Sequence, residues 1–161
     1  MAATPESIKV EPVAWLHPDA QAMRAQLSEE LGARYLDRES IPNHLPREFF
    51  VDEVSVLFVA IARVQGLSIG HIALRRLGEE VELKNMYVAR PLRGAGVAMR
   101  LLEAAETFAE RRDVPRIILQ TGDRQPEAVR FYLRMGYQRI PIYEPYQNLS
   151  YSNCFEKRFS N

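Results

Sequence analysis

The sequence predicts an α/β chain of the α+β kind, with a mixed, mostly antiparallel central sheet and flanking helices. Two observations carry this. Three strand-like segments between Val54 and Val88 follow one another through links too short for a crossover, which favours an antiparallel meander. From Val97 onward strand and helix patterns alternate, which sends the later strands into the same sheet. The chain has 161 residues, 47% hydrophobic and 26% charged, the mixture and size of one globular domain. No repeat, low-complexity segment or composition shift divides it, so residues 1–161 are expected to form a single domain.

Taken in order, Ser7 to Trp15 alternates in part and reads as a first strand. Pro18-Asp19 opens a helical stretch to about Leu36, whose Ala22, Met23, Leu27 and Leu31 recur at helical spacing. Asp37 to Glu48 holds Pro42, Asn43 and Pro46 and reads as a loop. Val54 to Val64, Leu67 to Leu74 and Val81 to Val88 are the meander, with turns at Gln65-Gly66 and Gly78-Glu79-Glu80. Val97 to Arg112 is helical, with Val97, Leu101, Ala105, Phe108 and Ala109 on one face; Asp113-Val114-Pro115 ends it. Arg116 to Gln120 is a buried strand, and Pro126 to Met135 a helix stopped by Gly136. Tyr137 to Ile140 is a short strand, Pro141 to Leu149 a loop, and Ser150 to Phe159 a last strand.

Charge and cysteine usage narrow the partners. Lys plus Arg and Asp plus Glu both number 21, which speaks against a dedicated nucleic-acid or membrane-surface binder. The one cysteine, Cys154, forms no internal disulfide and suits a reducing compartment. The N-terminus lacks the pattern of a signal peptide, and the most apolar run, Val54 to Val64, falls short of the ~20 residues of a spanning helix. A soluble cytoplasmic protein is expected. His17, His44 and His71 have no metal-ligand spacing, so no metal is expected.

The most informative segment is Arg93-Gly94-Ala95-Gly96-Val97-Ala98, after a strand and at the start of an amphipathic helix. Glycines let backbone N–H groups converge on a ligand. The helix N-terminus adds orphan donors and a partial positive charge, and the two together suit a phosphate. Arg90 and Arg93 add charge beside it. No lysine follows Gly96, which excludes the nucleotide P-loop. Met99 stands where a dinucleotide fingerprint requires Gly or Ala. On its own, the loop is also compatible with a plain helix start.

Arg93-x-x-Gly96-x-Ala98 resembles the Arg/Gln-x-x-Gly-x-Gly/Ala signature of the GNAT superfamily of N-acetyltransferases. Gln125-Pro126-Glu127-Ala128-Val129-Arg130-Phe131-Tyr132-Leu133-Arg134-Met135-Gly136-Tyr137 is similar to that superfamily's second motif, Asn-x-x-Ala-x-x-Phe-Tyr-x-x-x-Gly-Phe. Glu82-Leu83-Lys84-Asn85-Met86-Tyr87-Val88 resembles its central strand, and Asn153 to Lys157 the end of small bacterial members. The resemblance is dense from Val54 to Gly136 and thin before it.

The resemblance implies a GNAT-like acyl-CoA N-acyltransferase fold, acetyl-CoA as co-substrate, and transfer of its acetyl group to a primary amine by direct attack in a ternary complex. Met86, Tyr87 and Val88 would pair with the pantetheine arm, as a peptide adds to a sheet edge. That strand would splay from Arg116 to Gln120 and admit the cofactor. Arg93, Gly94, Ala95, Gly96, Val97 and Ala98 would hold the pyrophosphate, with Gln125 and Tyr132 also at the cofactor. The chemistry asks for three things. The amine must lose a proton although its pKa in water is about 10. A backbone N–H of Met86 to Val88 must meet the oxyanion. The thiolate must be protonated, a role the resemblance gives to Tyr132.

The base is less defined. Gln120 stands where many relatives carry a glutamate, and an amide takes no proton near neutral pH. Glu82 is the alternative carboxylate, with a relay through water equally open. Each candidate has a plainer reading: Tyr132 as a packed core aromatic, Glu82 as a solvated residue paired with Lys84. Gln125 either contacts the cofactor or caps its helix. Gly70 marks a bulge, a close backbone approach or a packing accommodation, His71 reads as structural, and Cys154 as an inert strand residue. A non-catalytic acyl-CoA sensor and a nucleotide-binding module are the rival functions. The acceptor, a small-molecule or peptide amine, would meet Pro18 to Glu48 and Pro141 to Leu149, where Tyr143, Tyr146 and Tyr151 either line a pocket or cover the sheet edge. The resemblance also leaves open a homodimer paired through the last strand.

Overall fold

The computed structural model describes residues 7–36 and 46–160. One seven-stranded sheet has the order β1-β2-β3-β4-β5-β7-β6. The strands are β1 (Ile8–Pro12), β2 (Val56–Val64), β3 (Leu67–Leu77), β4 (Glu80–Val88), β5 (Arg116–Gly122), β6 (Gln138–Ile140) and β7 (Ser152–Arg158). Every neighbouring pair is antiparallel except β4 and β5, so the sheet is mixed and mostly antiparallel. The helices are α1 (Pro18–Arg34), α2 (Val97–Arg111) and α3 (Pro126–Arg134).

Alternation in the strands assigns the two faces. Ala60, Ala62, Ile72, Leu74, Val81, Leu83, Ile117 and Leu119 turn toward α2 and α3. Val59, Ile61, Ala73 and Tyr87 turn toward α1. α2 presents Val97, Leu101, Leu102, Ala105 and Ala109, all buried. Each large side chain among them contributes about 1.5–3 kcal/mol on burial. α1 buries Ala20 and Met23, whereas Ala22 is exposed, so its buried face is rotated from the one its spacing suggested.

Element ends differ from expectation for local reasons. β3 and β4 run on to the pairs Arg76–Val81 and Leu77–Glu80, because Gly78, at φ +60°, lets the chain reverse within Gly78-Glu79. β1 stops at Pro12; after Val13 bonds the Val59 carbonyl, the chain turns toward α1. The expected loop Asp37 to Glu48 lies outside the described residues except at its end, where Arg47–Phe49 form a 3-10 turn. β7 pairs with β5 from Ser152 to Arg158 within its own chain.

Two irregularities shape the functional region. β4 and β5 pair only at Val81–Ile117 and Glu82–Ile118. Beyond that, β4 stays with β3 as far as Gly70–Val88, and β5 stays with β7 as far as Gly122–Ser152. The sheet therefore opens as a wedge. The second irregularity is a bulge in β4: Ala73 faces Lys84 and His71 faces Tyr87, so β4 carries one residue more than β3 between these pairs. Asn85, at φ +55°, occupies the bulge. The extra residue exchanges the faces, which is why Tyr87 packs toward α1 and Val88 toward α2.

Candidate active site

A cleft of about 470 Å³ lies along the open wedge, between β4, the start of α2, α3 and the C-terminal half of α1. Met86, Tyr87, Val88, Arg93, Gly94, Gly96, Val97, Ala98, Gln125 and Tyr132 all line it. Ala95 is in the same loop but is not among the lining residues. Glu82 lies outside the cleft.

The loop has the backbone a phosphate needs. Gly94 and Gly96 sit at φ +84° and +87°, with open space where a Cβ would project. Gly96 is the residue before α2 and no side chain caps that end. The orphan N–H groups at that end are thus left without a side-chain cap. Along the wedge, β4 beyond Glu82 has no strand partner on its β5 side, so an extended arm can pair there. Gly70 brings α2 down onto β3: a Cβ there would lie 2.9 Å from Leu101 and 3.1 Å from Val97. The approach that Gly70 permits therefore sets the height of the loop.

Arg93 acts as a tie. Its Nε donates to the Val88 carbonyl (2.8 Å) and its Nη2 to Glu30 of α1 (2.7 Å). Arg90 also reaches Glu30, at 3.4 Å. Burial works against the charge on Glu30, but Arg93 and Arg90 hold its carboxyl below the usual range. At the far side Arg34 of α1 pairs with Glu127 in the first turn of α3. Gln125, which precedes α3, makes no side-chain cap.

Tyr132 is 4% exposed and stacks edge-on against Phe131 and Tyr137, at 5.2 and 5.6 Å between ring centres. Its ring belongs to the core, and its residue also lines the cleft. Burial pushes its phenol above the ordinary value, which keeps it protonated.

Glu82 is fully enclosed on the α1 face. Oε1 accepts from Arg75 Nε at 2.8 Å and Oε2 from the Tyr143 hydroxyl at 2.6 Å. Its ionic partner is thus the buried Arg75 across the ladder, not Lys84. Arg75 Nη1 donates to the Phe50 carbonyl (3.0 Å), while its Nη2 has no partner among the described residues. Lys84 instead reaches the Tyr146 hydroxyl at 2.9 Å, and burial lowers the pKa of its ammonium. Burial and then the Glu82 charge push the Tyr143 phenol well up. Gln120 donates to Ser152 Oγ at 2.8 Å. Cys154 is buried, and burial raises its thiol. Among the described residues no three His, Cys, Asp or Glu side chains gather as a metal site, and no helix is long and apolar enough to cross a membrane.

Sequence reasoning missed Arg75 as the partner of Glu82 and Asn85 as a bulge. Arginine in the middle of an apolar strand was the available signal for the first. For the second the signal was the asparagine itself, a residue depleted in strands and tolerant of the left-handed region.

A splayed sheet with a glycine loop at the mouth of the wedge is the architecture of acyl-CoA N-acyltransferases, and solved structures share it. A structure from Klebsiella pneumoniae described as an acyl-CoA N-acyltransferase superposes with a TM-score of 0.76 at 27% identity, covering 94% of this chain and 97% of that one. The PaiA N-acetyltransferase of Thermoplasma acidophilum, solved with coenzyme A, shares the fold at TM-score 0.70 and 16% identity, over 95% and 99% of the two chains. In sequence, N-alpha-acetyltransferase 80 of Mus musculus is 38% identical over 88 residues, covering 53% of this chain but only 26% of that protein. The profile of the Acetyltransferase (GNAT) family matches residues 20–137, and the chain belongs to that family.

Proposed function

We propose that the chain transfers an acetyl group from acetyl-CoA to a primary amine by direct attack in a ternary complex. The observation that carries this reading is the wedge between β4 and β5, with the Gly94–Gly96 loop at its mouth and Tyr132 in its wall. The coenzyme A and acetyl-CoA in structures of the same fold support the co-substrate.

In this reading the loop's backbone N–H groups hold the pyrophosphate, and the free edge of Met86 to Val88 pairs with the pantetheine arm. A β4 N–H at the bulge donates to the thioester oxygen as negative charge develops there. Tyr132 stays protonated through binding and gives its proton to the departing thiolate. Glu82 takes the amine proton through the Tyr143 hydroxyl, which already donates to it at 2.6 Å. Gln120, bonded to Ser152, takes no part as a base. The acceptor, a small-molecule or peptide amine, approaches from the α1 face, where Lys84, Tyr143 and Tyr146 lie. The lone, buried Cys154 supports a cytoplasmic setting.

Thermal melting tests the co-substrate. Acetyl-CoA or CoA at a hundred times its dissociation constant adds about 2.7 kcal/mol. For a chain of this size that raises Tm by roughly 5–11 °C. ATP and NAD should leave Tm unchanged. No shift with the CoA ligands would remove the basis of the proposal.

A further inference from the structure

A partly buried polar chain links α1 to the β4 bulge, and the reaction steps above do not use it. It begins at Trp15, between β1 and α1. Arg24 of α1 lays its guanidinium 3.4 Å from the centre of the Trp15 ring and donates from Nη2 to the Trp15 carbonyl. Its other arm, Nη1, lies 2.9 Å from His71 Nε2. His71, on β3 and fully enclosed, places Nδ1 2.8 Å from the Asn85 carbonyl oxygen.

These partners leave one protonation state. A carbonyl only accepts, so Nδ1 carries the hydrogen. A guanidinium only donates, so Nε2 keeps its lone pair. The imidazole is neutral and of fixed tautomer. Burial, with the Arg24 charge acting in the same direction, brings its pKa down to about 4.

The consequence for β4 follows from peptide geometry. The Asn85 C=O and the Met86 N–H belong to one planar trans unit and point in opposite directions. His71 holds the carbonyl on the β3 side. The Met86 N–H is therefore aimed the other way, toward the β5 side, where the sheet is unpaired and Met86 lines the cleft. Asparagine tolerates the left-handed region at φ +55°, and the His71 bond is the contact that fixes which way its carbonyl points.

We propose that His71, held by Arg24 and Trp15, is a positioning residue that aims the Met86 N–H at the thioester oxygen of bound acetyl-CoA. This rests on the acetyl-CoA reading above. It makes His71 neither an acid nor a base in the transfer.

The test reads the carbonyl itself and needs no acceptor. Acetyl-CoA labelled with carbon-13 at the thioester carbonyl is bound to the wild-type chain, His71→Leu, His71→Gln and Arg24→Met. The carbonyl stretch is followed by isotope-edited infrared spectroscopy, and affinity by calorimetry with CoA. A carbonyl that accepts an aimed N–H absorbs at lower frequency than in free acetyl-CoA. The wild type should show that lowering and His71→Leu should lose it, with CoA affinity changed by less than about threefold (under 1 kcal/mol). His71→Gln should restore it, since its amide can both donate to Asn85 and accept from Arg24. Once an acceptor is known, kcat of His71→Leu should fall by about 10²-fold, as for loss of one oxyanion donor.

Arg24→Met keeps the test open if His71→Leu does not fold, and it should weaken the lowering. A wild-type carbonyl at the free frequency would overturn the proposal, and so would the same lowering in every folded variant. Failure of the wild type to bind acetyl-CoA or CoA at all would instead bring down the transferase reading, and this inference with it.

Discussion

Acidification should destabilise the chain well above the carboxylate range, through His71. The ordinary value of 6.5 falls to about 4 in the fold. Below pH 6.5 the unfolded chain binds a proton that the folded chain refuses, so stability decreases as pH falls. The contribution is fully present above pH 6.5 and is lost progressively toward pH 4. Between pH 7 and pH 5 the loss is about 2 kcal/mol, rising to about 3 kcal/mol below pH 4. Asp19, Glu30, Glu127 and Glu156 also have lowered values, from ordinary ones of 3.8 and 4.5, so their stabilisation is lost mainly below pH 5. Urea unfolding at pH 7, 6 and 5, on the wild type and His71→Gln, separates the contributions. The difference between the two proteins isolates His71 and should shrink by about 2 kcal/mol from pH 7 to pH 5. A difference that stays constant with pH would refute the assignment of a neutral, enclosed imidazole.

Other expected outcomes follow from the cleft and its supports. Tyr132→Phe should cut turnover by about 10²-fold or more, measured as thiol release, with CoA affinity nearly unchanged by calorimetry. Gly96→Val forces a β-branched residue toward φ +87° at a strain of about 1–3 kcal/mol, and titration should show weaker CoA binding. Gly70→Val drives a side chain into Leu101 and Val97. Denaturation should report a loss of about 1–3 kcal/mol, accompanied by weaker CoA binding as the start of α2 is displaced. Glu82→Leu leaves Arg75 buried with neither counter-charge nor acceptor and should cost about 3–5 kcal/mol in urea unfolding; Glu82→Gln also removes the counter-charge but keeps one accepting oxygen, and should cost less.

Local chemistry is the part that the sequence disclosed. The Gln65-Gly66 and Gly78-Glu79 reversals, the glycines before α2 and the stop at Gly136 each act within a few residues, and each sets an element boundary. The cleft residues were legible for the same reason, since the 93–98 loop and the start of α3 are continuous segments. What was hidden depends on distant partners. Glu82 meets Arg75 from the next strand and Tyr143 from a loop 61 positions on, and no spacing rule joins them. The α1 face was misjudged at Ala22 because Arg24 also turns inward, drawn by Trp15 and His71, which an apolar count does not see. The bulge at Asn85 is imposed by pairing with β3 and by the carbonyl that His71 captures, not by a glycine of its own.

Acetyl transfer is the reaction proposed for the cleft, and thiol release from acetyl-CoA reads it out. The purified chain is mixed with acetyl-CoA and a panel of small amines, amino acids and peptides. Free thiol is followed with time, and products are weighed by mass spectrometry. Amine-dependent thiol release, the mass of one acetyl group gained by the acceptor, and a collapse of both in Tyr132→Phe are expected. Tight binding of acetyl-CoA with no thiol released by any amine would contradict the proposed transfer and make the chain a binder of acyl-CoA rather than a transferase.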